Sequence, residues 1–140
     1  MKSDSKVEVL RSMRLFSGCT KRELASIARL CTLVFAEQGF VLTTQGAPGR
    51  ECFVIADGEA SVTIGGRPVA KVGPGDCVGE MSLLDGGRRT ATVTALTEMN
   101  VLALDGVEFR SLLAASPQIT LNMMVSLARR LREAEAEQPV

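Results

Sequence analysis

From Lys6 to Cys31 the apolar positions recur at helical spacing. Val7, Leu10, Met13 and Leu15 form one stripe, the pattern breaks at Ser17-Gly18, and Leu24, Ile27, Ala28 and Leu30 form a second. Thr20 with Glu23 three residues on predicts a capping box for the second helix. From Leu33 to Leu104 the pattern changes to short β-branched runs separated by glycines, among them Gly39, Gly46, Gly58, Gly65-Gly66, Gly75 and Gly79. Turns this close together predict a small antiparallel barrel or sandwich. Within it, "FVIADGEASVTIGGRPVAKV" predicts two hairpins, at Asp57-Gly58 and Gly65-Gly66, because both dipeptides are flanked by alternating side chains. After Leu104 the helical period returns. Asp105 is placed to cap a helix through Phe109, Leu112 and Leu113, and Ser116-Pro117 opens another. That last helix carries Leu121, Met124, Val125, Ala128 and Leu131 on one face before the charged tail "REAEAEQ". The fold class is therefore α+β: helices over 5–31, an antiparallel β-roll over 32–104, and two helices over 105–135, in one domain spanning 1–140.

Composition narrows the chemistry. The length suits one domain with a core of its own. No run of 18 apolar residues occurs and no signal peptide opens the chain, which predicts a cytoplasmic protein without a membrane span. Sixteen basic residues balance sixteen acidic ones, so no global field draws in nucleic acid or anionic lipid. Cys19, Cys31, Cys52 and Cys77 lack the paired short spacing of a zinc site and read as buried reduced thiols. The chain has no histidine, which removes the commonest metal ligand and the commonest general base together. A metal-dependent oxygenase or isomerase on a similar roll is disfavoured on that ground, and neither catalysis nor a cofactor is expected.

The informative stretch is "GEMSLLDGGRRTATV", Gly79 to Val93. "MSLL" between glycines reads as one helical turn, whose unpaired amides at Glu80, Met81 and Ser82 make a seat for phosphate. Arg89 closes the other side as a permanently charged partner, with Thr90 adding a hydroxyl. Glu80 repels a bare phosphate, so its presence in the cradle calls for a ligand that also offers a donor, such as a sugar hydroxyl. No GxxxxGK[ST] motif occurs, which argues against a triphosphate-hydrolysing loop.

From Leu15 to Arg132 the chain resembles the cyclic nucleotide-binding domain shared by catabolite-activator-type regulators, kinase regulatory subunits and nucleotide-gated channels. The likeness is carried by Gly79-Glu80-Met81-Ser82-Leu83 followed by Arg89-Thr90-Ala91, a phosphate-binding cassette over 79–92, by the glycines at 58, 75 and 79, and by the flanking helices. The resemblance implies a jelly-roll-like barrel with cyclic AMP or cyclic GMP as ligand. Glu80 would hold the ribose 2′-hydroxyl and Arg89 the cyclic phosphate, with the cassette amides completing the cradle. "GRRTA" is similar to the channel branch, where the threonine, here Thr90, also contacts phosphate and favours a syn guanine. Aligning that branch through the helix-opening proline puts its base-contacting arginine at Arg130. The alternative is that Arg129, Arg130 and Arg132 form a solvated face pairing with Glu133 and Glu135. Without a tryptophan or tyrosine to stack on the base, Arg130 and apolar contacts such as Val78 and Leu127 are left to hold it.

The function expected is that of a non-enzymatic sensor signalling by movement of the last helix, with an effector protein or a homodimer through Met124, Leu127 and Leu131 as output. The transcription regulators of this family are expected to carry a DNA-binding helix-turn-helix after the long helix, and with the chain ending at Val140 no nucleic-acid binding is expected. Two alternatives stand beside it. One is a ligand-free interaction module in which Glu80 and Arg89 form a structural salt bridge. The other is the excised regulatory part of a larger transcription regulator, transporter or acyltransferase.

Overall fold

The structure, a computed structural model, describes residues 3–136; the last residues of the charged tail lie outside that range. The helix α1 (Ser3–Arg11) is followed by a 3-10 turn (Arg14–Phe16) and α2 (Lys21–Ala28). Eight strands come next, β1 (Cys31–Ala36), β2 (Val41–Thr43), β3 (Glu51–Asp57), β4 (Ala60–Ile64), β5 (Arg67–Val72), β6 (Cys77–Val78), β7 (Thr92–Ala95) and β8 (Met99–Asp105). A short helix α3 (Glu80–Asp85) interrupts them between β6 and β7, and α4 (Gly106–Ala115) and α5 (Pro117–Ala136) close the order.

The strands form two antiparallel four-stranded sheets, ordered β1-β8-β3-β6 and β2-β7-β4-β5. Between them lies one apolar cluster containing Ile55, Ala60, Val93, Met99 and Val101. A second cluster fills the space between the outer face of the first sheet and the helices, joining Cys52, Val54, Leu102 and Leu104 to Leu10, Phe16, Leu24, Ile27 and Phe109. Strand β8 is thus covered on both faces, which is why "MNVLALD" reads as a nearly continuous apolar run rather than an alternation.

Local signals are realised where they are chemically self-sufficient. The Thr20 amide donates to Glu23 Oε1 at 2.8 Å and the Glu23 amide to Thr20 Oγ1 at 3.2 Å, the reciprocal capping box. The Glu108 amide donates to Asp105 Oδ2 at 3.3 Å, and Pro117 is the first residue of α5. The residue before it, Ser116, takes φ −130° and ψ 89°, because a following proline disfavours the helical region, and so α4 and α5 meet at a break.

Four expectations are corrected. The first helix ends at Arg11 rather than Ser17: Ser12 Oγ donates to the Val9 carbonyl at 2.6 Å, and Met13 is already extended. The strand region begins at Cys31, which pairs with Leu104, one residue earlier than expected. Gly65-Gly66 does close the β4–β5 hairpin, but Asp57-Gly58 does not close one. Strands β3 and β4 enter different sheets there, since Ile55 and Ala60 both bury in the cluster between the sheets. Finally, the face of α5 that packs inward is Ile119, Met123 and Ser126, with Leu127 partly buried beside them. Leu121, Met124, Val125 and Leu131 are exposed. The inward edge wins through fit and polar bonds rather than apolar area. Asn122 packs on Gly18, Asn122 Nδ2 donates to Glu23 Oε1 at 3.0 Å, Ser126 Oγ lies 3.2 Å from Ser17 Oγ, and Glu133 pairs with Arg14.

The thiols are free, and Cys31 and Cys52 are buried. Burial, with Cys52 adding to it and Lys6 opposing, pushes the Cys31 thiol up from 9.0 to about 12. A folded-state pKa above the unfolded one stabilises the fold fully below the unfolded value and loses that contribution as pH rises through the folded value. Urea midpoints are therefore expected to fall between about pH 9 and about pH 12, and Cys31→Val to flatten part of that fall. An unchanged slope in the variant rejects the assignment to Cys31.

Candidate functional site

Strand β6 delivers the chain to Gly79, whose φ of +80° lets the backbone turn sharply into α3. At the far end Gly86 is again left-handed and its amide donates to the Ser82 carbonyl at 2.9 Å. Segment 87–89 is then clipped onto 46–49. The Gly49 amide donates to Gly87 O at 3.2 Å, the Arg89 amide to Ala47 O at 2.8 Å, and the Gly46 amide to Arg89 O at 2.9 Å. Ser82 Oγ donates to Gly87 O at 3.1 Å, and a Cβ on Gly49 would overlap that hydroxyl. Helix, turn and loop thus hold one another in a fixed arch.

Under this arch sits Arg89. It is only 9% exposed, its Cζ lies 6.0 Å from the centroid of the Phe53 ring, and its guanidinium fills the space that a side chain at Gly79 would need. Among the described residues, Nη1 of Arg89 is the buried side-chain nitrogen or oxygen with no hydrogen-bond partner. Burial lowers the Arg89 pKa, with Glu51 the main opposing influence, yet a guanidinium stays charged at any physiological pH. A desolvated cation with an unused donor is costly unless something anionic meets it.

Glu80, the first residue of α3, pairs not with Arg89 but with Arg130 of α5. The salt bridge expected of a ligand-free module, Glu80 with Arg89, does not form. Arg88 is exposed at the same site and donates from Nη1 to the Gly46 carbonyl at 2.8 Å.

Above Arg89 opens a cavity of about 640 Å³. Val78, Gly79, Glu80, Ser82, Arg89, Thr90 and Arg130 all line it, and Met81 lies between Glu80 and Ser82 in the first turn of α3. Leu127 packs instead against the helical core. Arg129 and Arg132 are exposed, and Glu133 goes to Arg14 rather than to a neighbour on its own helix. The lining also includes residues the sequence did not point to: Arg14 from the 3-10 turn, and Thr43, Val62 and Val72 from β2, β4 and β5. Inward-facing strand positions carry the signal for Thr43 and Val62; nothing local marks Arg14. Cys77 also lines the cavity, its thiol pushed well up by its hydrogen bond with Cys52 and by burial, which keeps it neutral. The cavity therefore brings together the buried Arg89 with its unpartnered Nη1, Arg88 on the Gly46 carbonyl, Glu80 paired with Arg130, the side chains of Asp76 and Asp85, a hydroxyl at Thr90 and an apolar wall.

The sequence model of the cyclic nucleotide-binding domain matches residues 33–116. This chain belongs to that family. The CRP-like cAMP-activated global transcriptional regulator of Mycobacterium tuberculosis is 31% identical over 132 residues, covering 89% of this chain and 58% of the relative. A cyclic nucleotide-gated potassium channel of Rhizobium etli is 33% identical over 112 residues, covering 80% of this chain and 31% of the channel. The N-terminal domain of a transcriptional regulator from Streptomyces coelicolor superposes with a TM-score of 0.84 at 33% identity, covering 94% of this chain and 98% of that one. The chain thus spans well under two thirds of the length of the two curated relatives. The match to the family takes in the cassette with Glu80 and Arg89 and stops at Ser116, so Arg130 lies beyond it. No described helix of this cyclic nucleotide-binding domain is long and apolar enough to cross a membrane.

Proposed function

We propose that this domain is a non-enzymatic sensor of cyclic AMP or cyclic GMP in the cytoplasm. The observation that carries the reading is Arg89, a cavity-lining residue buried in the arch with Nη1 unpartnered beside Gly79. One guanidinium matches the single negative charge of a cyclic phosphodiester. The amides of Glu80, Met81 and Ser82 in the first turn of α3 complete the phosphate seat, Glu80 accepts from the ribose 2′-hydroxyl, and Val78 with Val62 and Val72 gives the base an apolar wall. Calorimetric titration with cyclic AMP, cyclic GMP and the linear 5′-monophosphates tests this. The cyclic forms are expected to bind more tightly, because a linear monophosphate brings a second charge at neutral pH, while Arg14 and Arg130 are already paired with Glu133 and Glu80 and Arg88 is exposed and bonded to the Gly46 carbonyl. Equal binding of cyclic and linear nucleotides rejects the assignment.

Output runs through α4 and α5. Arg110 of α4 donates from Nη1 to the Leu83 carbonyl at 3.1 Å, tying α4 to α3, and Thr120 Oγ1 donates to Leu113 O at 2.9 Å, tying α5 to α4. A shift of the cassette on binding phosphate is passed to α5 along these bonds, and the bound state is selected by its differential affinity for ligand. The exposed stripe Leu121, Met124, Val125, Ala128 and Leu131 then serves a homodimer or an effector protein. Leu127, turned toward the core, is not part of that surface.

Thr90 is exposed at the cavity rim. In the syn orientation only guanine brings an exocyclic amine for its hydroxyl to accept from. Thr90→Ala is therefore expected to weaken cyclic GMP by about 1 kcal/mol, one neutral hydrogen bond, and cyclic AMP by less. Equal losses by competition titration reduce Thr90 to a phosphate contact.

A further inference from the structure

We infer that β1 is a self-pairing edge: a second copy of this chain adds its own β1 antiparallel across a two-fold axis, joining the β1-β8-β3-β6 sheets of the two copies into one. Four strands stand at the rims of the two sheets, β1 and β6 in one, β2 and β5 in the other. Three of them are protected in the ways edge strands usually are. Strand β6 has two residues, β2 has three and a register shift, and β5 carries Arg67, Pro68 and Lys71 and pairs through a register shift with β4. By contrast β1, CTLVFA, has six residues without charge or proline and keeps an unbroken register with β8.

Its outer rim is open. The Gly106 amide donates to the Arg50 carbonyl at 2.8 Å and the Ile55 amide to the Asp76 carbonyl at 2.9 Å, so along β3 the even-numbered main chain faces β8 and the odd-numbered faces β6. Carried through the register of β8, this alternation bonds Thr32 and Val34 to β8 and turns the N–H and C=O of Cys31, Leu33 and Phe35 to the free edge. The Cys31 carbonyl accordingly receives Lys6 Nζ at 3.0 Å, while among the described residues no side chain bonds the main chain of Leu33 or Phe35. Their side chains are 39% and 55% exposed. None of these three lines the ligand cavity, and the edge is separate from the α5 stripe, so the inference stands apart from both.

Charge selects the occupant and the register. In a two-fold antiparallel pair, outward-facing residues meet outward-facing ones, so the axis passes through a residue. Centred on Leu33, it sets Leu33 against Leu33 of the second copy, Cys31 against Phe35, and Arg29 against Glu37 at both ends. Centred one residue either way, it sets Arg29 against Phe35 or Gly39 instead. Arg29, which ends α2, and Glu37, which follows β1, are exposed and form no ion pair among the described residues. The same register gathers Leu33 and Phe35 of both copies on one face, where opposite and diagonal side chains touch.

The test follows hydrogen exchange of residues 31–37 and sedimentation of the full chain as its concentration rises from micromolar to millimolar. Exchange in that segment is expected to slow as dimer forms, because the Leu33 and Phe35 amides become bonded. Phe35→Lys should abolish both changes. Arg29→Glu and Glu37→Arg should each weaken self-association about tenfold, since two exposed attractions become two repulsions, and an equimolar mixture of the two variants should restore it. Concentration-independent exchange in 31–37 overturns the inference even if the chain dimerises, since a dimer through α5 leaves β1 open. A mixture that associates no more tightly than its components overturns the charge-matched pairing. A synthetic peptide of residues 29–37 that slows exchange where a second folded copy does not makes the edge a seat for extended chain, and overturns the dimer.

Discussion

Replacing Arg89 with alanine is expected to lower affinity for cyclic AMP and cyclic GMP by roughly 2 to 4 kcal/mol, about thirtyfold to several hundredfold, because a desolvated phosphate loses its one charged partner. The neighbouring Arg88→Ala should change affinity less than about threefold, as expected of an exposed contact. Its guanidinium is exposed and spent on the Gly46 carbonyl. Two adjacent arginines thus give a test in which length, charge and sequence context are matched and only burial and direction differ. Equal losses at the two positions, measured by titration, mean that the phosphate is not seated under the arch.

Gly79→Ala is expected to act on the same contact from the other side. At φ +80° an alanine costs about 1 to 2 kcal/mol of backbone strain. More consequentially, its Cβ would overlap Arg89 Nη1, so the guanidinium has to leave its place on Phe53. Affinity should fall at least about tenfold, with a modest loss of stability. Gly58→Ala is the control. Gly58 has φ +91° and a Cβ there would come within 2.5 Å of the Glu98 carbonyl oxygen, but it sits where β3 ends and β8 begins, at the opposite ends of the strands from the cassette. It should lower the melting temperature more than Gly79→Ala does and leave the affinity of the folded fraction unchanged. Wild-type binding by Gly79→Ala would show that Arg89 need not occupy the arch.

What the sequence made legible follows how far each device reaches along the chain. Thr20 with Glu23, Asp105 with Glu108, and Pro117 satisfy their partners within a few residues, so residue type and spacing suffice to place them. The cassette was equally legible, since Gly79, the turn of α3 and Arg89 lie within one short segment, and its family resemblance is carried by that segment. Asp57-Gly58 misled because a turn dipeptide specifies the turn and not which sheet the next strand enters; that choice is made by β7 and β8, some 40 residues on. Direction on α5 misled for a related reason. The more apolar stripe is solvent-facing, and the buried edge is selected by Gly18, Ser17 and Glu23, which read as loop and helix surface in their own segment. Arg130 was placed at the site by alignment, but its pairing with Glu80 joins residues 50 apart and left no local trace.

A polar seam joins α5 to residues 14–23. Three crossings, Glu133 to Arg14, Ser126 to Ser17 and Asn122 to Glu23, span more than two turns of α5, so a roll or lift of the helix that leaves its neighbours behind breaks all three. At its other end α5 begins at the backbone break of Ser116, where it parts from α4. The start of the chain and its last long helix are thus stitched side to side, and the same helix reaches the cassette through Arg130 and Glu80.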